Sequence, residues 1–203
     1  MSGALPNTDF TAINIKSEQK TLMSTTDSGK TFRRQVDGQR FKFTIRYAKK
    51  TRADMQSIMA FIMKQRSSKE NFTVTFPSYL NATGTDTGTL LVDNAHSLAD
   101  TTITINGFSG DGTGRLKAGD FLKFANHTKV YMVVADATSS SNAATVTIEP
   151  PLVSTLANDE AVTYDGVAFT VHLVSDLQEF NSNSIDKDGN LLFDFEFDVC
   201  ESL

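Results

Sequence analysis

The chain has 203 residues, 39% hydrophobic and 21% charged, with a mean hydropathy of −0.22. That is enough apolar material for one ordinary domain or two small ones, and it excludes bulk disorder. No run approaches the roughly 18 apolar residues of a membrane span, and the first residues lack the basic and then apolar pattern of a secretory signal. The single cysteine, Cys200, excludes an internal disulfide framework and multi-cysteine zinc sites. A net charge of −5 argues against a general nucleic-acid binder, yet it hides an asymmetry. Residues 1–80 hold 14 basic and 6 acidic side chains, whereas residues 81–203 hold 5 and 18.

In chain order, the first clear element is a strand from Arg40 to Tyr47. Phe41, Phe43, Ile45 and Tyr47 fall on one face, and Arg40, Lys42, Thr44 and Arg46 on the other, the period of a half-buried strand. A helix is expected over residues 51–66. Thr51 suits its N-cap, with Asp54 three residues on as a variant of the capping box. Met55, Ile58, Met59, Ile62 and Met63 make an apolar stripe, which predicts a helix packed on its own sheet rather than a methionine-rich binding surface. Phe72, Val74 and Phe76 then alternate, and Pro77 ends that strand or places it near an edge.

The segment Asn81–Gly88 is rich in turn residues and reads as a linker or long loop. From Thr89 to about His172 the chain offers short β runs: Thr101–Ile105, Phe121–Phe124, Val130–Ala135, Ala144–Ile148 and Phe169–Val174. Gly107–Gly114, Ala125–Thr128, Thr138–Asn142 and Pro150-Pro151 break them, a spacing that predicts a small barrel or sandwich. Asn181–Asn190 reads as a polar connection. It leads to a last strand, with Phe193, Phe195, Phe197 and Val199 on one face and Asp194, Glu196 and Asp198 on the other.

Two strands from opposite ends of the chain thus have aromatic inner faces and opposite outer charges, and they are expected to be neighbours in one sheet. The fold class is mainly β with one amphipathic helix (α+β). A sandwich- or barrel-like body is formed by residues 1–80 plus 175–203, with the small β-barrel module, 89–174, inserted. Two tandem domains and a tail would leave Phe193, Phe195 and Phe197 without a partner face.

Catalytic patterns are missing from the sequence. His96, His127 and His172 fall in separate segments outside any metal-ligand spacing, with His172 on the outer face of its strand. Cys200 reads as a bystander, and there is no nucleophile elbow. Gly107–Gly114 lacks the Gly-Lys-Ser/Thr ending of a phosphate loop and reads as a flexible turn. Asp186-Lys-Asp-Gly-Asn190 resembles part of a calcium loop, but the twelfth-position carboxylate falls on Phe195, and Asp-Gly before an alternating run signals a hairpin turn. No catalytic, cofactor or metal residues are assigned. The candidates for assembly or cross-strand charge contacts are Arg33, Arg34, Arg40, Lys42 and Arg46 on the basic side, with Asp194, Glu196 and Asp198 on the acidic side.

The order of motifs resembles a known family. Val36-Asp-Gly-Gln-Arg-Phe41, Thr51-Arg-Ala-Asp-Met55 with Ala60-Phe-Ile62, and Phe72-Thr-Val-Thr-Phe-Pro77 come first. Leu116-Lys-Ala-Gly-Asp-Phe121, Val130–Val134, Ala144–Leu152 and the acidic-aromatic strand Phe193–Val199 follow. In this order they resemble tail proteins of bacteriophages and prophages, in particular distal-tail or baseplate-hub components. The family pattern carries Trp where Phe41 stands and often ends its helix with Gly where Ser67-Ser68 follow.

The resemblance implies a non-enzymatic virion protein of the tail, made in the host bacterial cytoplasm. It would form a ring, often a hexamer, where the tube meets the tip or baseplate. Its implied partners are further copies of itself and tube, hub or baseplate proteins, with no cofactor, no membrane span and no sequence-specific nucleic acid. A tail-tube or tube-terminating role is an alternative within that class. A host-carbohydrate-binding module is another, and it would need Phe108, Tyr131 and Tyr164 exposed on loops.

Overall fold

The structure, a computed structural model, describes residues 2–6, 8–36 and 38–203. The elements in chain order are β1 (Phe10–Glu18), β2 (Thr21–Thr25), β3 (Thr31–Gln35), β4 (Arg40–Thr51), α1 (Arg52–Lys64), β5 (Phe72–Val74), β6 (Leu90–Val92), β7 (Thr102–Asn106), β8 (Gly112–Leu116) and β9 (Phe121–Phe124). They continue with β10 (Val130–Val133), β11 (Ala137–Ser139), β12 (Ala143–Glu149), β13 (Ala161–Thr163), β14 (Phe169–Leu173), β15 (Asn181–Ile185) and β16 (Leu191–Glu201). The chain divides into two compact units, Met1–Phe72 with Val171–Ser202, and Thr73–Thr170. The divisions fall inside β5 and β14.

The first unit is built on a sheet of order β1-β4-β16-β14-β5, with β15 on the other edge of part of β16. The strands from the two ends of the chain are antiparallel neighbours. Phe195 lies opposite Tyr47, Phe197 opposite Ile45, and Val199 opposite Phe43, with a register shift between Phe193 and Phe195. All six paired side chains are buried, and so are Met55, Ile58 and Ile62 of α1, which packs on β4 and β16. An aromatic row ties the layer together. Ring centroids are 5.3 Å apart for Phe10–Tyr47, 6.5 Å for Tyr47–Phe195, 5.0 Å for Phe195–Phe197 and 4.3 Å for Phe180–Phe195. Such rings remove large apolar area and add edge and stacking terms beyond it.

β4 runs four residues past Tyr47 and passes directly into α1. Thr51 caps the helix as expected: its Oγ accepts from the Asp54 N–H at 3.4 Å and donates to the Asp54 carboxylate at 2.8 Å. The helix stops at Lys64, before the expected Arg66, because Arg66 takes a left-handed conformation (φ 54°). Met63 is a correction, since it is 70% exposed. It lies about 100° round the helix from Ile62, and Gln65 occupies the buried line instead. That amide donates to the Phe61 carbonyl at 2.7 Å and accepts from the Ser2 hydroxyl, so its burial carries no unsatisfied group.

Asn181–Asn190 is not a mere connection. β15 pairs with β16 and the two close a hairpin. The Asp186 Oδ1 accepts from the Asp188 and Asn190 N–H groups, both at 2.8 Å, and Gly189 supplies φ 85°. The residues that resembled a calcium loop are therefore committed to a turn. β15 escapes sequence reading because it is polar and is held by backbone pairing rather than by an apolar face.

In the second unit, β10-β12-β7-β6-β13-β9 form a closed six-stranded barrel, and β8 and β11 pair as a separate ribbon. Leu90, Val92, Ile103, Ile105, Leu122, Phe124, Val133, Val146 and Ile148 fill its core. β6, β11 and β13 have only three residues each, too few to show a period. The stretch read as a flexible turn, Gly107–Gly114, runs into β8.

Asn81–Gly88, expected as a linker or long loop, is a loop fastened as a strap. Asp120, 3% exposed, accepts from the Thr83 N–H and hydroxyl at 2.7 and 2.8 Å, from Gly84 N–H at 3.2 Å and from Lys117 N–H at 2.8 Å. Asp86 accepts from Gly88 N–H and from the Ser109 N–H and hydroxyl, each at 2.9 Å. A Cβ added at Gly84 would sit 2.1 Å from the Arg115 carbonyl oxygen, so glycine is needed for this close approach.

Candidate functional site

The outer face of the β4–β16 pair collects the charges singled out in the sequence. Alternation along each strand turns them away from the aromatic layer. The register sets Arg46 opposite Glu196 and Thr44 opposite Asp198. The Arg46 guanidinium bonds the Asp194 carboxylate at 3.1 Å and lies 4.0 Å from that of Glu196, while the Thr44 hydroxyl donates to Asp198 at 2.6 Å. Arg46 is half exposed, so these pairs set register and surface pattern more than stability.

The other expected basic residues go elsewhere. Lys42 faces β1, where its ammonium meets Glu18 at 2.5 Å. That hydrogen bond holds the Glu18 carboxyl below the usual range and raises Lys42. Arg40 lies opposite Glu18 and adds to the same pull. Arg33 and Arg34 are on β3, a different sheet from β4 and β16.

Among the described residues β2 and β3 form a hairpin that pairs only with itself, and every residue of both strands is exposed. Its turn is tied by the Thr26 N–H to the Lys30 carbonyl at 2.9 Å and by Gly29 N–H to Thr26 at 2.8 Å. Leu22 lies opposite Arg34, Met23 opposite Arg33, and Ser24 opposite Phe32. Leu22, Ser24, Phe32 and Arg34 therefore share one face, and Met23 and Arg33 the other. Leu22, Met23 and Phe32 are 52, 67 and 53% exposed, and the Lys30 ammonium sits 5.2 Å from the Phe32 ring. A lone two-stranded hairpin is at best marginal in water, and one carrying three large exposed apolar side chains has the composition of a contact surface. The reading of the sequence missed this hairpin. Its signal is Asp27-Ser-Gly29 between two β-prone runs.

A second surface feature of the same unit is an open cleft lined by Arg46, Glu179, Asn181, Asp194 and Glu196. It holds three carboxylates against one guanidinium. The segment supplying Glu179 also presents Leu177, 70% exposed.

The histidines are engaged in structure. His96 Nε2 accepts from Thr104 N–H at 3.1 Å, and the partly buried His172, on the otherwise buried β14, bonds the Ser202 hydroxyl through Nδ1 at 2.7 Å. In the barrel, the Tyr131 hydroxyl accepts from Val153 N–H at 3.2 Å and meets His127 Nδ1 at 2.7 Å. Burial lowers the His127 and His172 imidazoles. Among the described residues no group of three His, Cys, Asp or Glu could hold a metal ion, and no helix is long and apolar enough to cross a membrane.

The aromatic cluster required for sugar binding is corrected. Phe108 and Tyr131 are 4% and 0% exposed, and Tyr164 packs on the barrel core with its hydroxyl donated to the Gly88 carbonyl at 2.9 Å. These three rings pack in or against the interior and do not form an exposed stacking platform.

Residues 81–167 match the family described as distal tail protein pb9, B domain. The match takes in the strap and all eight strands from β6 to β13. Comparison with curated proteins gives no match. The likeness to phage distal-tail proteins, first seen in the order of motifs along the chain, thus has an independent support in the barrel unit, and it supports a structural role in a phage tail.

Proposed function

We propose that this protein is a ring-forming subunit at the distal end of a phage tail, joining the tail tube to tip or baseplate proteins. The observation that carries the reading is the distal-tail match over the barrel unit. The exposed β2–β3 hairpin agrees with it, because a structural subunit needs surface that only assembly covers. The proposed mechanism is assembly without catalysis. A head-to-tail contact repeated around an axis closes a ring when the rotation per subunit closes, and the resemblance sets the expected number at six. The barrel suits a passenger on such a ring, since a closed barrel has no free edge through which to polymerise.

In this reading the charges at Arg33, Arg34, Arg40, Lys42, Arg46, Asp194, Glu196 and Asp198 divide between contacts inside the subunit and contacts between subunits. The protein would be made in the bacterial host and retained in the virion tail. Light scattering of the purified chain should give a mass several times 22.2 kDa, and electron microscopy should show rings. A chain that stays monomeric at high concentration and is absent from purified particles contradicts the proposal.

A further inference from the structure

The geometry points to a specific subunit contact: the β2–β3 hairpin of one copy docks on the acidic cleft of a second copy of this chain. This rests on the ring reading above and names the surfaces that would close it. The hairpin segment 19–36 carries Lys20, Lys30, Arg33 and Arg34 against Asp27 alone. Neither the Arg33 nor the Arg34 side chain makes an ion pair, hydrogen bond or ring contact among the described residues. The cleft has the opposite composition, Glu179, Asp194 and Glu196 around Arg46, and Arg46 answers only part of that charge. The apolar character matches as well: Leu22 and Phe32 share a hairpin face with Arg34, Met23 and Arg33 lie on the other face, and exposed Leu177 is two residues from Glu179.

Within one subunit, no ion pair or side-chain hydrogen bond among the described residues joins the hairpin to this cleft. The hairpin joins the sheet at Glu18 and Arg40, whereas the cleft is at Arg46, about 20 Å further along β4 at ~3.3 Å per residue. The two surfaces are different patches of one molecule, so the contact is heterologous and repeats, which is what a ring or filament requires. Complementary charge would steer the encounter and fix the register of the pair, while the apolar residues supply buried area.

The test is a charge swap in the full-length chain, read by analytical ultracentrifugation. Arg33→Glu with Arg34→Glu is expected to keep the wild-type circular dichroism, because both side chains are exposed, and to weaken self-association about tenfold or more by setting like charges together. Glu179→Lys with Glu196→Lys, which leaves Asp194 on Arg46, is expected to weaken it similarly. An equimolar mixture of the two variants should regain assembly, since reversed hairpins meet reversed clefts. Assembly by the Arg33→Glu, Arg34→Glu protein at wild-type strength overturns the proposal while leaving the ring reading intact, and so does a mixture that fails to recover. If that variant instead assembles normally but loses binding to double-stranded DNA, the hairpin is a nucleic-acid contact and the proposal is overturned. A wild-type chain that never self-associates defeats the ring reading and this contact together.

Discussion

Replacing Phe195 by alanine tests the joining of the two chain ends in one sheet. The ring is 1% exposed, faces Tyr47 across the β4–β16 ladder, and lies 4.3, 5.0 and 6.5 Å from the rings of Phe180, Phe197 and Tyr47. Truncation removes the ring's transfer free energy and leaves a cavity, because β4, α1 and β16 can close on it only in part. For a ring this well enclosed, the cost is about 3–5 kcal/mol. Phe195→Leu keeps most of the volume and should cost about 1.5 kcal/mol or less. The assay is urea unfolding followed by far-ultraviolet circular dichroism, since the chain has no Trp to report by fluorescence. The loss should appear in the transition of the sheet unit, with the barrel's transition unmoved. A loss for Phe195→Ala below about 1 kcal/mol would mean that the ring is not enclosed between the two chain ends, because no fully enclosed ring is removed so cheaply.

Three further outcomes follow from the same structure. Gly84→Ala should destabilise the barrel unit by about 1–3 kcal/mol or more through overpacking, since its Cβ would stand 2.1 Å from the Arg115 carbonyl oxygen. Gly29→Ala meets open space and pays only for its positive φ, about 1–2 kcal/mol, and thermal melts separate the two. Burial raises the Asp86 carboxyl, but the hydrogen bonds from Ser109 and Gly88 outweigh it and leave the group below its ordinary 3.8. Its stabilising effect is therefore complete above about pH 4 and is lost as pH falls through the lower native value. Asp86→Asn should lower stability at neutral pH and flatten the acid limb of a pH–stability curve. A parallel curve for the variant would contradict this. The buried imidazole of His127, and with it His172, titrates below 6.5. The unfolded chain then binds the extra protons, and stability should decline as pH drops from about 7 toward 5. His127→Gln and His172→Gln should each remove part of that decline, and denaturation midpoints at pH 7.5 and 5 measure it.

What could be read from the sequence follows the strength of each period. β4 and β16 alternate aromatic and charged residues over seven or more positions, so their faces, charges and pairing were visible before the structure. α1 was visible for the same reason, apart from Met63, where hydrophobicity and helical angle disagree and the angle wins. The barrel was legible as a class but not strand by strand, because three-residue strands such as β6 and β13 carry no period. β15 and the β2–β3 hairpin were missed because nothing apolar of their own holds them to a core. The strap at 81–88 reads as a linker or long loop because its Gly, Thr and Asp residues are those of loops, and a loop it is, but its fastening is hidden. Buried Asp120 and Asp86, distant in sequence or hidden within the strap, are what fasten it. The surface candidates divided similarly. Cross-strand register brought Arg46 to Asp194 and Glu196, whereas Lys42 turned to Glu18 on a strand the sequence did not reveal.

The proposed role is that of a ring subunit of a phage tail. Cryo-electron microscopy of the assembled tail tests it most directly. Density is expected for several copies of the chain arranged head to tail about the tail axis at its distal end, with each β2–β3 hairpin seated on the next copy's Glu179–Glu196 cleft. A tail map that is complete at its distal end and has no place for the chain would contradict it.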